Sequence, residues 1–168
     1  VIFILIGVFL RTYQLNFESY WLDEMISYWV SDPNIAFNDT LLRRDQIEQT
    51  PVLFDLFLKK YLELFGYEPD FGRHVPLFFG ILSIPLLGLL SHQISKNNSF
   101  LLTIFLTSIN VYLISYSQEG RPYSLILFLS IINLIFYYKI VSENITILKK
   151  IIFFNFFIIF SVLTLSSH

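Results

Sequence analysis

The sequence predicts an all-α fold: a polytopic transmembrane helical bundle with interfacial amphipathic helices in a long first outer loop. Three observations predict it. Of the 168 residues, 55% are hydrophobic and only 14% charged, and mean hydropathy is +0.63, whereas soluble domains carry about 25% charged residues. Apolar runs recur at close to the ~20 residues a helix needs to cross a hydrocarbon core ~30 Å thick. The charges collect between those runs, with 11 of the 13 acidic residues lying in 12–72.

Taken in order, the runs place spans at about 1–12, 73–94, 98–115, 122–140 and 150–168, with an outer loop over 13–72. The first begins inside "VIFILIGVFL" and lacks the basic flank and small-residue cleavage site of a signal peptide. The sequence reading expects both ends to be internal to a longer polytopic protein, with 1–168 inactive alone. Within the outer loop, "SYWLDEMISYWVSD" reads as a short helix over about 20–31, ended by Asp32-Pro33-Asn34. Its Trp21, Tyr28 and Trp29 suit the headgroup region. The stretch 34–49 is the most polar part and is expected to be irregular. The segment 51–66 carries Asp55, Lys59, Lys60 and Glu63 along one helical stripe. Pro51 suits its first turn and Gly66 its stop, so an amphipathic helix lying in the interface is expected, not a span.

Sidedness follows from the basic residues. Lys96, Lys139, Lys149 and Lys150 fall in the two short loops after the second and fourth spans, which the positive-inside rule assigns to the cytoplasm. The acidic loop, the turn "SQEGRP" and His168 then share the outer side. Net charge is −2 and there is no cysteine, so no nucleic-acid partner, disulfide, zinc-thiolate site or thiol nucleophile is expected. No glycine-rich phosphate loop is present, so an enzyme built on this chain takes its activated substrate in another form than a nucleotide. Asn38-Asp39-Thr40 and Asn144-Ile145-Thr146 match the glycosylation pattern only as chance tripeptides do.

Three groups can carry chemistry. Asp23 and Glu24 are adjacent, so on a helix they diverge by about 100° and cannot both point at one atom. A carboxylate partly desolvated at a membrane surface is a better base; the plainer reading is a pair of acids favoured in a helix's first turn. Glu119 and Arg121 are the only charged residues between Lys96 and Lys139. Charges at a span boundary are costly and are usually paired or functional, and Gln118 and Tyr116 add hydrogen-bonding capacity for a polar ligand. Arg73, with His74, opens the second span. An arginine at a helix start opposes the dipole, which an anionic partner or snorkelling to headgroups would explain.

The order of these features resembles a known family. Trp21-Leu22-Asp23-Glu24 is followed by a Pro-led helix ending in Leu64-Phe65-Gly66, then Arg73-His74-Val75-Pro76, Phe79-Gly80, Ile84-Pro85-Leu86 and the run Tyr116–Ser124. The chain resembles the N-terminal part of polytopic GT-C glycosyltransferases of the Rgt-like and protein-O-mannosyltransferase-like (family 39-related) superfamily, with the lipid A aminoarabinose transferases as more distant relatives. The resemblance implies an inverting transfer of a sugar from a polyprenyl-phosphate donor to a lipid, glycan or protein acceptor on the outer face of a cell membrane. The composition points to a bacterial inner membrane. The resemblance makes Asp23 the general base, Arg73 and Arg121 the cations facing the lipid phosphate, and Glu119 an acceptor-orienting group, an arginine partner or a contact for a divalent cation if one is used. Glu24 is then structural or acceptor-binding. Gln49-Thr50-Pro51 lacks the basic residue relatives carry there, so either Arg43 or Arg44 substitutes or that contact is absent. The alternative is a transporter or flippase of lipid-linked saccharides, using the same charges to hold cargo.

Overall fold

The computed structural model describes residues 1–47, 52–95, 99–142 and 146–167. All regular structure among them is helical: α1 (Ile2–Thr12), α2 (Leu22–Val30), α3 (Phe37–Ile47), α4 (Leu53–Phe65), a 3-10 turn (Pro69–Phe71), α5 (His74–Ser95), α6 (Ser99–Ile109), α7 (Val111–Gln118), α8 (Tyr123–Ser142) and α9 (Ile147–Leu165). The stretches Pro69–Ser95, Tyr123–Val141 and Ile147–Leu165 are long and apolar enough to cross a membrane, and α6 with α7 makes a fourth if the bent pair is one span. The chain is therefore a membrane protein with multiple spans. At 11 residues α1 is apolar but shorter than a crossing. Pro51, Gln49-Thr50, Lys96, Glu143, Asn144 and His168 lie outside the described residues.

The long helix α5 is central and packs against α1, α6, α7 and α8, while α9 packs on α8. Lipid tails are as apolar as leucine, so helices in a bilayer associate by close approach at small residues. On α5 those residues are Gly80, which faces Ser117 of α7, and Gly88, which faces Ile104 of α6. A Cβ on Gly80 would collide with the Ser117 side chain. Gly80→Ala is accordingly expected to cost about 1–3 kcal/mol, read as a lower melting temperature in detergent, whereas alanine at half-exposed Ser130 is expected to leave it within error.

The stretch expected to span at 98–115 contains two helices, α6 and α7, which meet at Asn110 with a bend of 56°. Asn110 starts a new helix there, its side-chain oxygen accepting from the Leu113 N–H at 3.0 Å. The carbonyls that the break releases at the end of α6 are taken by Arg11, which donates to Thr107 at 3.0 Å and Ser108 at 3.2 Å. Arg11 is buried, so the apolar bundle contains one cation that the sequence reading passed over, held where a helix C-terminus favours positive charge.

One expectation is corrected: the stretch 34–49 is not irregular over its described residues, because α3 occupies Phe37–Ile47. This helix buries Thr40 and Arg44 and is held to α4 by polar contacts. Thr40 and Arg44, one turn apart, meet Lys59 and Asp55, also one turn apart, in antiparallel order. Lys59 donates to the Thr40 hydroxyl at 2.9 Å and to the carbonyls of Asp32 and Ile35. Arg44 forks onto both oxygens of Asp55, with Nε at 2.7 Å. The charged stripe of α4 thus divides: Asp55 and Lys59 turn inward to α3, while Lys60 and Glu63 pair with each other at the surface. Opposite them, Phe54, Leu58 and Leu62 pack on Val75 of α5 and Leu125 and Leu129 of α8. Gly66 caps α4 at a φ of 117°, the conformation that glycine adopts without strain.

The loops sort to one end. The Leu53 N–H donates to the carbonyl of Ser166 beyond α9, and Arg73 at the head of α5 reaches Glu24 and the backbone of 15–18. The ends of α1, α7 and α9 and the starts of α5 and α8 therefore share one end of the bundle with α2–α4.

Candidate functional site

The turn Glu119–Pro122 joins α7 to α8 at that end, and α2 lies against it. Glu24, at the third position of α2, is buried, and its carboxylate gathers the site. It accepts from Arg73 Nε at 2.8 Å and Arg73 Nη2 at 2.7 Å, from the Gly120 N–H at 2.7 Å and from the Trp21 N–H at 3.3 Å. A buried carboxylate is tolerated when its lone pairs are filled by charged and backbone donors in this way. The last of these bonds also closes the first turn of α2, and the Gly120 bond ties the turn to the loop almost a hundred residues earlier.

Arg73 is not a cation awaiting an anion. Its remaining N–H groups go to the carbonyls of Leu15 at 2.8 Å, Glu18 at 3.0 Å and Ser19 at 3.5 Å, and it lies 5.0 Å from the centre of the Tyr20 ring. Burial pushes the Tyr20 phenol up to about 12, and its O–H donates to the Pro69 carbonyl. Arg73 thus clamps the acidic loop to α5. Its neighbour His74 joins α4 to α5 through the Tyr61 hydroxyl, 2.8 Å from Nδ1. Neither Arg43 nor Arg44 extends to this region: Arg43 lies over the Trp29 ring and donates to its carbonyl at 2.7 Å, and Arg44 is committed to Asp55.

Asp23 points the other way from Glu24, as adjacent helical positions require. Its carboxylate is 3.8 Å from Arg121 Nη2, with side-chain exposures of 31% and 13%. Arg121 also approaches the Ser27 hydroxyl at 3.4 Å. Glu119 lies on the opposite side of the turn, with the Ser115 hydroxyl 3.4 Å from Oε1. Burial raises the Glu119 carboxyl above its usual range; Glu24 adds to the rise, while Ser115, Arg121 and Arg73 oppose it.

Linkage turns this into a measurement. A carboxyl raised in the folded state contributes stability below the unfolded value of about 4.5, and that contribution is lost as pH rises through the folded value. The wild type is expected to lose stability over that interval, and Glu119→Gln to lack this part of the slope. Thermal unfolding of both from pH 4 to pH 8 reads the difference.

The turn separates two openings. On the Glu119 side is a polar cleft of about 550 Å³ whose lining includes Tyr13, Gln14, Trp21, Glu24, Arg73 and Glu119. On the Arg121 side is a largely apolar groove between α7 and α8. Gln118 lines the polar cleft but donates its amide to the carbonyls of Arg11 at 3.1 Å and Tyr13 at 2.9 Å, capping α1. Tyr116 belongs to the groove instead, its ring 4.9 Å from that of Tyr123. Among the described residues no three His, Asp or Glu side chains gather closely enough to hold a metal ion.

Asp23, Glu119 and Arg121, expected on one side, adjoin one turn. The pairing of Glu24 with Arg73 was not expected; its signal in the sequence is an arginine at the start of a span, which needs an anion, and a glutamate at N3 of a short helix, whose side chain folds back. Comparison with family models, curated proteins and solved structures finds no match for this chain.

Proposed function

We propose that this chain forms the catalytic end of a membrane glycosyltransferase that moves a sugar from a polyprenyl-phosphate donor to an acceptor hydroxyl, as its motif order suggests. The observation that carries the reading is the convergence of Asp23, Glu119 and Arg121 on one loop-bearing end of an apolar bundle, with Glu24 and Arg73 locking the turn between them. In this reading Asp23 accepts the acceptor's proton as that oxygen bonds to the anomeric carbon. The carbon–oxygen bond to the phosphate breaks on the opposite face, so configuration inverts. The lipid phosphate leaves with the bonding pair, and Arg121 offsets its growing charge. Arg121 is given this role because it adjoins Asp23 at the turn. Glu119 and Trp21, a residue 46% exposed, line the polar cleft across the turn, which holds the part of the acceptor remote from its reacting hydroxyl.

The broken span favours a second reading, because transporters commonly place broken helices around a binding site at the membrane midplane. Here the freed carbonyls are already taken by Arg11, and Asp23, Glu24, Arg73, Glu119 and Arg121 collect at one end, which favours the enzyme. The test uses the full-length protein in membranes supplied with a radiolabelled polyprenyl-phosphate sugar. Label transferred to acceptor supports the enzyme; label that only changes leaflet, with no product, supports the transporter.

A further inference from the structure

Helix α9 packs on α8 along one side: Phe153 and Phe160 meet Phe136, Phe157 meets Tyr137, and the Thr164 hydroxyl accepts from Asn133 at 3.0 Å. The other side is exposed along its length and carries a pattern. Leu148, Ile151, Asn155, Ile158, Val162 and Leu165 follow one another at alternating steps of three and four residues, and all six are exposed. This is the spacing of the a and d positions of a left-handed coiled coil. Large apolar residues alone would decide nothing, because lipid accepts them equally well. Asn155 is different. It stands near the middle of the 19-residue helix, at a depth where hydrocarbon offers no hydrogen-bond partner. Among the described residues its carboxamide makes one bond, Nδ2 donating to the Ile151 carbonyl at 2.8 Å. The amide oxygen and the second N–H are left over, and such groups are costly in an apolar medium. Asn110, Gln118 and Asn133, by contrast, have partners inside the bundle.

We propose that this stripe is a homodimer seam, in which α9 of one copy packs in parallel on α9 of a second copy and the two Asn155 side chains pair. The symmetry of a membrane selects a second copy as the partner. Two chains inserted in the same direction are related by a two-fold axis along the membrane normal, and a stripe facing that axis meets itself at the same depth. Asn155 therefore meets Asn155. Each amide brings a donor and an acceptor, so the pair closes two reciprocal bonds, the free N–H of each reaching the oxygen of the other. The stiff β-branched side chains of Ile151, Ile158 and Val162 lose little rotamer freedom when they interlock, and one asparagine in such a seam fixes its register and the number of strands. Lys149 and Lys150 lie off the stripe, so pairing does not set like charges face to face. The seam is independent of the sugar-transfer reading, since none of the residues given a role in transfer lies on α9.

The test is subunit counting by single-molecule photobleaching. The full-length protein, with one dye per chain, is placed in phosphatidylcholine liposomes over a range of protein-to-lipid ratios. The wild type is expected to bleach in two steps at the higher ratios. Asn155→Leu is expected to move the monomer–dimer midpoint about tenfold toward higher protein density, and Asn155→Gln, which keeps an amide, to recover most of that shift. Position 155 is exposed, so the leucine variant is expected to keep the wild-type melting temperature. A photo-crosslinking benzoylphenylalanine placed at Ile158 maps the contact with Asn155 intact, and its expected product joins α9 of one copy to α9 of another. Monomers at every ratio, or a dimer whose midpoint Asn155→Leu leaves unchanged, overturn the proposal. A cross-link from position 158 to another helix of the same polypeptide overturns it too, because the chain then covers the stripe itself.

Discussion

Asp23→Asn is expected to lower sugar transfer by about 10²–10⁴-fold, the usual worth of a positioned general base, while the protein stays folded. Both halves of that outcome follow from the geometry. Asparagine keeps the shape of the side chain and removes the lone pair basicity that takes the proton. The Asp23–Arg121 contact is long, at 3.8 Å, and partly exposed, so its loss changes stability by only about 0–1 kcal/mol. Melting temperature therefore separates loss of chemistry from loss of fold. Glu119→Gln is expected to act differently, raising the apparent KM for acceptor more than it lowers kcat, because the proposed role is orientation. If Glu119→Gln abolishes transfer and Asp23→Asn does not, the base lies in the polar cleft and the two roles exchange.

The second large effect is on the fold. Arg73→Met is expected to destabilise the protein by about 3–5 kcal/mol, because it strands the Glu24 carboxylate without its charged partner. Three loop carbonyls lose their donor in the same step. Glu24→Gln is expected to cost less, since its one amide oxygen can still accept from the Gly120 N–H and Arg73 keeps its carbonyl partners. The double variant Glu24→Gln/Arg73→Met should be more stable than Arg73→Met alone, because no buried charge remains. Thermal unfolding of the four proteins forms a double-mutant cycle. Additive losses would show that the two side chains are not coupled, and the clamp would then lie in the carbonyl contacts of Arg73 instead.

The helical class, the apolar helices and the amphipathic α4 are legible in the sequence because burial imposes patterns on composition and period that need no knowledge of neighbours. The same holds for the stop at Gly66 and for the gathering of Asp23, Glu119 and Arg121 at one end, which follows from counting spans. Three features were decided only in three dimensions. Helix α3 buries a threonine and an arginine, Thr40 and Arg44, and Lys59 and Asp55 of α4 stand opposite to receive them. The break at Asn110 depends on Arg11, nearly a hundred residues earlier, to take carbonyls that a bilayer would leave unsatisfied. Arg73 reads in the sequence as a cation seeking an anion, and the fold supplies that anion as Glu24. A residue's type fixes which partners it needs, and only the chain's path through space determines which of them arrive.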